Sequence, residues 1–199
     1  MSNESLTLYR EALKRLEGLL EKVKETDLPE PTAVTLATAS PEGRPMARTV
    51  LLRGLDERGI TFFTNLGSRK GRQLLDNPHA ALAFYWPPLA EQVLVEGTVE
   101  LVSDAEADAY WATRPRESQI GGWASRQSER LPSRFTLLRR VVSRAARFGV
   151  APIPRPPFWS GFRIQPHRIE FWSSRPARLH DRRCYQIVDG EWETFLLYP

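Results

Sequence analysis

The sequence predicts a mainly β fold with peripheral helices, in which about seven or eight antiparallel strands form a closed or half-open barrel. Short segments rich in β-branched and apolar residues follow one another along most of the chain, and turn residues separate them. No strand–helix–strand alternation is present, which argues against a doubly wound or eight-fold α/β architecture. The length of 199 residues suits one domain, or one domain with a helical appendage.

The first element is an amphipathic helix over residues 6–25. Its leucine, tyrosine and valine residues recur at three- and four-residue spacing, which gives one buried stripe. Pro29 and Pro31 end this pattern. We therefore expect residues 1–30 to form a helix packed on the barrel, and residues 31–199 to form a single domain with inserted helices.

A block of strands follows the helix. Residues 33–39, 46–53 and 59–64 are strand-like, and the turn residues of 40–43 and 56–59 separate them. Because these connections are short, the pairing is predicted to be antiparallel.

Strands then alternate with capped helices. Ser68 is suited to cap a short helix that ends near Asn77. Ser103 and Glu106 form a capping box for a helix over about 104–113. Further strands are predicted over residues 80–86, 91–102, 161–172 and 183–197.

The last third of the chain contains two segments without a clear strand pattern. Residues 114–131 are polar and show no period, so no regular element is predicted there. Pro132 and Gly149 bracket an arginine-rich helix. Residues 151–157 hold four prolines and are predicted to be irregular, whereas Asp189-Gly190 is a strong hairpin signal.

The composition excludes several classes of protein. Hydrophobic residues make up 41% and charged residues 26%, which argues against a disordered or fibrous chain. No apolar run approaches the ~18–20 residues of a membrane span, and the N-terminus lacks the apolar core of a signal peptide. The single cysteine, Cys184, has no intrachain disulfide partner. These features predict a cytoplasmic protein.

Positive charge is concentrated in the second half of the chain. The formal net charge is +4, but residues 114–183 hold 16 arginines and 4 acidic residues. Arginine clusters suit planar or phosphorylated anions, because the guanidinium group offers a rigid fork of donors. The partner could be a nucleic acid or a small phosphorylated ligand. A GC-rich genome would also enrich arginine without any function.

Two cationic segments are candidate anion sites. Residues 64–70 run from a strand through a glycine turn into a helix that begins with Arg69 and Lys70, an arrangement suited to a phosphate group. The alternative is an ordinary capped helix with solvated cations. Arg48 and Arg53 have odd spacing and are expected on opposite faces of their strand, or exposed on an edge strand.

Two later segments carry many hydrogen-bonding side chains. The first, over residues 110–128, is either a binding loop or a solvated excursion, and Trp123 within it weakly favours binding. The second, over residues 170–183, surrounds His180 with arginines, Trp172 and an aspartate. Such a histidine can serve as an acid–base group or orient a ligand, and the alternative is a structural role.

The motifs of several enzyme classes are missing. The chain contains no H-E-x-x-H, no G-x-S-x-G and no G-x-G-x-x-G motif. The sequence therefore gives no support to a zincin, an α/β-hydrolase or a dinucleotide-binding fold. No set of metal ligands stands out, and no metal is expected.

The chain closely resembles the pyridoxamine 5′-phosphate oxidase family from about Pro31 to about Tyr185. The resemblance is carried, in chain order, by TFFTNLGSRKGRQLLDNP, RPRESQIGGWASRQS, PPFWSGFRI and RIEFWSSRPARLHDR. It implies a split β-barrel homodimer that binds flavin mononucleotide (FMN) in clefts at the dimer interface. It also implies oxidation of pyridoxine or pyridoxamine 5′-phosphate to pyridoxal 5′-phosphate, with O2 reduced to H2O2.

The resemblance implies a role for individual residues. The side chains or strand segments that would hold FMN are Arg48, Thr49, Val50, Leu51, Leu52, Arg53, Phe63, Thr64, Arg69, Lys70, Gln92, Gln127, Ser128, Trp172 and Arg182. Trp172 and Arg182 would reach it from the partner subunit. The substrate phosphate would be bound by Arg53, Tyr110, Arg114 and Ser118. Arg178 and His180 would be the catalytic pair that orients the pyridine ring.

The sequence departs from the family at three places. Arg53 stands where the family usually has lysine, which keeps the charge and changes its geometry. Residues 195–199 differ from the family's usual Arg-Leu-x-Pro ending. Only Met1 to Ser5 precede the first helix, so the family's basic arm over the substrate is expected to be missing. If the site still closes, residues 151–157 are the first candidate for closing it.

Three other functions remain open at this point. A related flavin oxidase acting on another heterocycle, such as those of phenazine pathways, resembles the chain less in the RPRESQIG segment. A second alternative is a non-catalytic protein that binds FMN or a vitamin B6 phosphate. A nucleic-acid-binding protein is the third, but no nucleic-acid motif supports it, and neither nucleic acid nor membrane is expected as a partner.

Overall fold

The computed structural model describes residues 1–199, which form one nine-stranded sheet and five α-helices. The strands are β1 (Ala33–Ala39), β2 (Pro45–Leu51), β3 (Gly54–Asp56), β4 (Gly59–Asn65), β5 (His79–Trp86), β6 (Glu91–Leu101), β7 (Trp159–Ser173), β8 (Asp181–Val188) and β9 (Glu191–Leu196). The helices are α1 (Asn3–Lys24), α2 (Arg69–Asp76), α3 (Asp104–Thr113), α4 (Arg116–Ala124) and α5 (Arg134–Phe148).

All strand pairs are antiparallel, and the spatial order is β2-β1-β5-β6-β7-β4-β3. The hairpin of β8 and β9 continues the sheet from the second half of β7. The predicted mainly β class and the antiparallel pairing are therefore confirmed.

The long strand β7 organises the sheet because it pairs along both edges. One edge pairs with β6, and the register shifts between Glu96 and Gly97. A Cβ atom at Gly97 would collide with the Gln165 carbonyl, so this close approach requires glycine. On the other edge, the first half of β7 pairs with β4 and the second half with β8. The two ends of β7 thus support two separate groups of side chains.

The curled sheet and α1 enclose one core of 25 buried hydrophobic residues. In β5 the burial alternates, so that Leu82, Phe84 and Trp86 all point into this core. The predicted stripe of α1 is buried in the same core, where Leu16 and Val23 are fully buried. Burial of this shared apolar surface is what attaches the helix to the sheet.

The main correction concerns residues 114–131, for which no element was predicted. They contain α4, whose buried residues are only Gln119 and Ala124. The helix therefore has no stripe of buried apolar residues from which the sequence pattern could predict it. Gly122 faces the ring of Trp111, where a Cβ atom would come within 2.9 Å of the indole. Tertiary packing therefore decides the conformation here, and the glycine pair is compatible with a helix.

Smaller corrections concern element ends. The strand predicted over 46–53 ends at Leu51, and a short strand, β3, follows the link that contains Arg53. Arg53 therefore does not lie on a strand with Arg48 as expected. The first residues of β7, from Trp159, also precede the predicted start at 161. None of the five α-helices combines the length and the hydropathy that a membrane-spanning segment requires.

Candidate active site

A cavity of about 540 Å³ lies where β2, β4 and the α3–α4 junction meet. The residues that line it are Thr49, Val50, Leu51, Arg53, Phe63, Thr64, Lys70, Tyr110, Thr113, Arg114, Pro115, Ser118, Gln127 and Trp159. All four residues expected to bind a substrate phosphate are among them. So are eight of the fifteen residues assigned to the cofactor by resemblance, and Arg53 belongs to both sets. We call this cavity the cationic pocket.

The cationic pocket contains three cations and no acidic side chain. Burial lowers the pKa of the Lys70 ammonium group, and nearby Arg48 lowers it further. Burial likewise lowers the pKa of the Arg114 guanidinium group, and Arg53 adds to this effect. Positive groups that repel one another without a counter-charge favour the binding of an anion.

Arg48 lies behind the pocket, on the edge strand β2. Its guanidinium group donates to the Leu36 carbonyl at 3.1 Å, to Thr38 Oγ1 at 2.7 Å and to Gln73 Oε1 at 3.3 Å. Its Nε atom is buried without a hydrogen-bond partner, and burial together with Arg69 lowers its pKa. A half-buried, incompletely paired arginine beside further cations fits an anionic group such as a phosphate.

The start of α2 carries the predicted cap. Ser68 is fully buried, and its Oγ atom accepts from the Gly71 N–H at 3.2 Å. The Arg69 N–H donates to Ser128 Oγ at 3.1 Å, and Ser128 adopts a positive φ of 73°. A helix start with two adjacent cations is suited to a phosphate. Arg69 and Ser128 border the pocket from this side, although neither is a lining residue.

Stacked aromatic rings form one wall of the pocket. The Phe63 and Tyr110 rings stack with centroids 4.0 Å apart, and Phe63 also stacks with Trp159 at 5.5 Å. The Arg114 guanidinium group lies 4.8 Å from the Trp159 ring and 5.1 Å from the Trp111 ring. These contacts hold Tyr110 and Arg114 at the pocket from one side.

A second group of predicted residues lies elsewhere, around the far end of β7. Gln92 is the Cα partner of Trp172, which is also the Cα partner of Arg182. The His180 ring lies 4.6 Å from the Trp172 ring. We call Gln92, Trp172, Arg178, His180 and Arg182 the histidine cluster, and none of them lines the cationic pocket.

Individual contacts in the histidine cluster restrict its chemistry. His180 Nδ1 accepts from the Arg175 N–H at 3.2 Å, which leaves Nε2 available to a ligand. Arg178 has a φ of 62°, a strained conformation for arginine. Arg182 donates to Glu170 Oε1 at 2.7 Å and to the Tyr198 carbonyl at 3.0 Å. Its guanidinium group is therefore held by its own chain in this structure.

The two groups are far apart within one chain. Trp159 in the pocket and Trp172 in the histidine cluster stand at opposite ends of β7. Thirteen residues of extended strand span roughly 40 Å along the chain. A single small ligand does not bridge that distance.

Sequence reasoning missed Thr113, Pro115 and Trp159 as pocket residues. Trp159 follows a proline-rich segment at the start of a strand, and this position was its only signal. Trp123, which weakly favoured binding, instead donates from its indole N–H to the Pro154 carbonyl at 2.7 Å and contacts Phe148 and Phe158. Its role in this structure is packing.

Comparison with known proteins covers nearly the whole chain. Residues 19–147 match the family model described as pyridoxamine 5′-phosphate oxidase, and residues 159–199 match that of the pyridoxine 5′-phosphate oxidase C-terminal dimerisation region. The chain is 55% identical over 197 residues to a pyridoxine/pyridoxamine 5′-phosphate oxidase of Alkalilimnicola ehrlichii, covering 98% of this chain and 100% of that protein. A relative of the same name from Myxococcus xanthus strain DK1622 is 51% identical, covering 94% and 91%.

Solved structures agree in fold. PhzG from Burkholderia lata 383, in complex with tetrahydrophenazine-1-carboxylic acid, has a TM-score of 0.88 and 34% identity, covering 94% of this chain and 91% of that one. A pyridoxamine 5′-phosphate oxidase-related, FMN-binding protein of Nostoc punctiforme PCC 73102 has a TM-score of 0.74 and 22% identity, covering 94% and 96%. The curled antiparallel sheet is the split barrel of these proteins, and the chain belongs to the pyridoxamine 5′-phosphate oxidase family.

Proposed function

We propose that this protein is an FMN-dependent oxidase that converts pyridoxamine or pyridoxine 5′-phosphate to pyridoxal 5′-phosphate. O2 is the electron acceptor and H2O2 is released; the amine substrate also yields ammonia. The observation that carries the proposal is the cationic pocket, in which three cations and no acid face one cavity. The chain holding this pocket is 55% identical to a pyridoxine/pyridoxamine 5′-phosphate oxidase over its length.

The cofactor proposal rests on the charges around α2. Arg48, Arg69 and Lys70 would bind the FMN phosphate, with the Ser68-capped helix start supplying amide donors. Residues 49–53, at the end of β2 and in the link that follows it, would line the ring system and its ribityl chain together with Phe63 and Thr64. Gln127 and Ser128 would add contacts at the phosphate side.

The substrate would occupy the α3–α4 side of the pocket. Arg53, Tyr110, Arg114 and Ser118 would bind its phosphate, and the uncapped start of α4 at Pro115 would add a favourable dipole. Holding the phosphate fixes where C4′ of the pyridine ring lies, and this orientation is the main contribution of the chain to the rate. When bound, FMN supplies the chemistry by accepting a hydride from C4′ and passing two electrons to O2.

Arg178 and His180 would complete the site over the pyridine ring. The free Nε2 of His180 is suited to hydrogen-bond the substrate, because Nδ1 is already fixed by the Arg175 N–H. Arg178 has no hydrogen bond of its own in the structure to compete with a ligand. Its strained backbone is typical of residues held for function.

We also propose that the active protein is a homodimer with two equal sites. The distance along β7 keeps the histidine cluster away from the cationic pocket of its own chain. A two-fold dimer brings the cluster of one subunit to the pocket of the other, twice. The match of residues 159–199 to a dimerisation region supports this arrangement, because that region includes Trp172, Arg178, His180 and Arg182.

Two measurements test the proposed function. The purified protein should absorb visible light as a flavoprotein and release FMN on denaturation. It should also produce H2O2 and pyridoxal 5′-phosphate from pyridoxine 5′-phosphate. Bound flavin without this turnover would favour the alternative of a non-catalytic FMN-binding protein. Absence of flavin would contradict the proposal.

A second candidate function is oxidation of a reduced phenazine precursor. The observation in its favour is the TM-score of 0.88 to PhzG, whose structure contains tetrahydrophenazine-1-carboxylic acid. The identity to that protein is 34%, against 55% to the vitamin B6 phosphate oxidase of A. ehrlichii. Comparing kcat/KM for pyridoxine 5′-phosphate and for a reduced phenazine carboxylic acid decides between the two.

A further inference from the structure

The segment of residues 151–157, which we call the proline segment, is bound firmly to α3 and α4. Its backbone carbonyls accept three side-chain hydrogen bonds, from Arg116 to Ala151 at 2.9 Å, from Trp111 to Ile153 at 2.8 Å and from Trp123 to Pro154 at 2.7 Å. A segment anchored in this way is not free to close over the substrate, the role for which it was the first candidate. It instead fastens the helices that carry Tyr110 and Ser118, on either side of the short link that contains Arg114.

Arg155 is the charged centre of this attachment. Its side chain is only 13% exposed and donates to Asp108 Oδ1 at 2.6 Å and to Asp104 Oδ1 at 2.7 Å, both on α3. Its third contact is the Trp159 carbonyl at 2.8 Å. The hydrogen bond to Asp108 is the main reason that the pKa of this guanidinium group is raised. Burial acts in the opposite direction, and the hydrogen bond to Asp104 adds to the rise.

Trp159 connects Arg155 to the cationic pocket. Its backbone begins β7 opposite Asn65 of β4, and its side chain lines the pocket. The indole ring lies against Phe63 and 4.8 Å from the Arg114 guanidinium group. Arg155 therefore joins α3 to the strand residue against which Arg114 rests.

We propose that Arg155 is a positioning residue for the bound phosphate of the substrate. By tying Asp104 and Asp108 to the Trp159 carbonyl, it fixes the distance between α3 and the start of β7, and so holds Arg114 in the pocket. The proposal rests on the proposed function, because it assigns Arg114 to the substrate phosphate. Arg155 itself does not line the pocket, so its effect on the phosphate is indirect.

The physical reason is the sensitivity of binding to small displacements. Without Arg155, two carboxylates on one helix face lose their cation, and the Trp159 carbonyl loses its donor. The two carboxylates repel each other only weakly, because both are exposed, but α3 loses its polar contacts to the start of β7 and keeps only the pair of Glu106 with Arg163 further along the strand. A displacement of about 1 Å at a binding group can reduce catalytic efficiency up to about a hundredfold.

The test compares Arg155→Ala with Arg10→Ala in the full-length holoenzyme. Arg10 forms an equally well-defined two-bond pair with Glu57, but on α1 and outside the pocket. For Arg155→Ala, we expect KM for pyridoxine 5′-phosphate and the inhibition constant of inorganic phosphate each to rise roughly tenfold. FMN content should stay at the wild-type level, and Arg10→Ala should change neither constant.

A double-mutant cycle with Arg114→Ala separates positioning from a general effect on the fold. If Arg155 acts through Arg114, adding Arg155→Ala to Arg114→Ala should raise KM by much less than tenfold. Arg155→Lys should restore part of the loss, because it keeps one ion pair. If Arg155→Ala does not fold, Asp108→Asn removes one of the same contacts and should raise KM in the same direction.

Two results would overturn the inference. The first is an Arg155→Ala protein with the same KM and phosphate inhibition as Arg10→Ala, and the second is full additivity with Arg114→Ala. A wild-type protein without turnover of vitamin B6 phosphates would instead refute the proposed function, so the two failures are distinguishable. In that case inorganic phosphate binding would still report whether Arg155 supports the pocket.

Discussion

Side chains in the cationic pocket carry more positive charge than their surroundings neutralise. Lys70 and Arg114 both have lowered pKa values, because burial disfavours their charged forms and another cation lies near each. Such an arrangement destabilises the empty pocket and is relieved when an anion binds. We infer that these residues serve to bind a phosphorylated ligand and do not stabilise the fold.

The first prediction concerns pH and Lys70. The proposed site uses the ammonium form of Lys70 to bind the FMN phosphate, and the pKa of this group in the free protein lies below the ordinary 10.5. As the pH rises through that lowered pKa, the cation is lost, so FMN affinity should begin to fall below pH 10.5. In Lys70→Arg the guanidinium group stays protonated, and affinity should persist to higher pH.

The measurement is the FMN dissociation constant from flavin fluorescence between pH 7 and pH 11. Lys14→Arg is the control, because Lys14 lies on α1 away from the pocket. An identical pH profile for the wild type and Lys70→Arg would remove Lys70 from the phosphate site.

The second prediction concerns His180. Its contacts within the chain are one hydrogen bond from the Arg175 N–H and the Trp172 ring, so its removal costs the fold little. His180→Ala should lower kcat/KM for pyridoxine 5′-phosphate roughly ten- to a hundredfold, because the substrate loses an orienting group. Steady-state kinetics, FMN content and melting temperature are measured together, with exposed His79→Ala as the control. A large fall in melting temperature with unchanged kinetics would assign His180 to the fold.

The residues found only in the structure have roles that sequence spacing does not encode. Trp159 and Arg155 act through contacts with Tyr110, Arg114 and Asp108, some 45–50 positions earlier in the chain. Arg48 and Lys70, by contrast, stood out because cations beside a strand or a capped helix are unusual in the sequence itself. Their assignment to FMN stays a prediction.

At the level of elements, α2 shows how a helix start can serve both stability and binding. The Ser68 side chain caps it from a fully buried position, next to Arg69 and Lys70. The cap fixes the direction of the helix start and of both cations. Loss of the cap should therefore affect more than the helix.

The third prediction compares two caps of the same type. Ser68→Ala and Ser133→Ala each remove a side-chain acceptor from a helix start, on α2 and α5, and each should cost about 1 kcal/mol of unfolding free energy. Only Ser68→Ala should also weaken FMN binding. Denaturant titration of the apoprotein and FMN titration check the two effects. Equal FMN affinities in both variants would show that the start of α2 does not hold the cofactor.

Elements with strong end signals were predictable from the sequence. The capping box of Ser103 and Glu106 correctly predicted the start of α3, and Asp189-Gly190 correctly predicted the turn between β8 and β9. The helix α4 was not predictable, because its only buried residues are one glutamine and one alanine. Its place is set by Trp111 packing on Gly122, a contact between elements.

For the whole molecule, the decisive feature is the separation of two groups of residues along β7. The cationic pocket lies at its start and the histidine cluster at its end. The family resemblance predicted two subunits contributing to each site, and the distance supplies a physical reason for that prediction. The division into a helix of residues 1–30 and an FMN-binding domain of residues 31–199 stays a prediction, although α1 shares the core of the sheet.

The fourth prediction tests the composite site, which is the central claim. Arg114→Ala impairs the cationic pocket and His180→Ala impairs the histidine cluster, so each homodimer should keep at most about a tenth of the wild-type kcat/KM. In a hybrid of the two, one site combines both defects, while the other combines an intact pocket with an intact cluster. Random assortment makes half of the dimers hybrids, each with one working site of two.

The deciding measurement is H2O2 production from pyridoxine 5′-phosphate after the two variants are unfolded together, refolded with FMN and compared with each variant refolded alone. Wild-type protein taken through the same procedure sets the reference. The composite site predicts recovery of roughly a quarter of the wild-type activity in the mixture. A mixture no more active than the separate variants, with hybrids demonstrated by differential tags, would contradict a site shared between subunits.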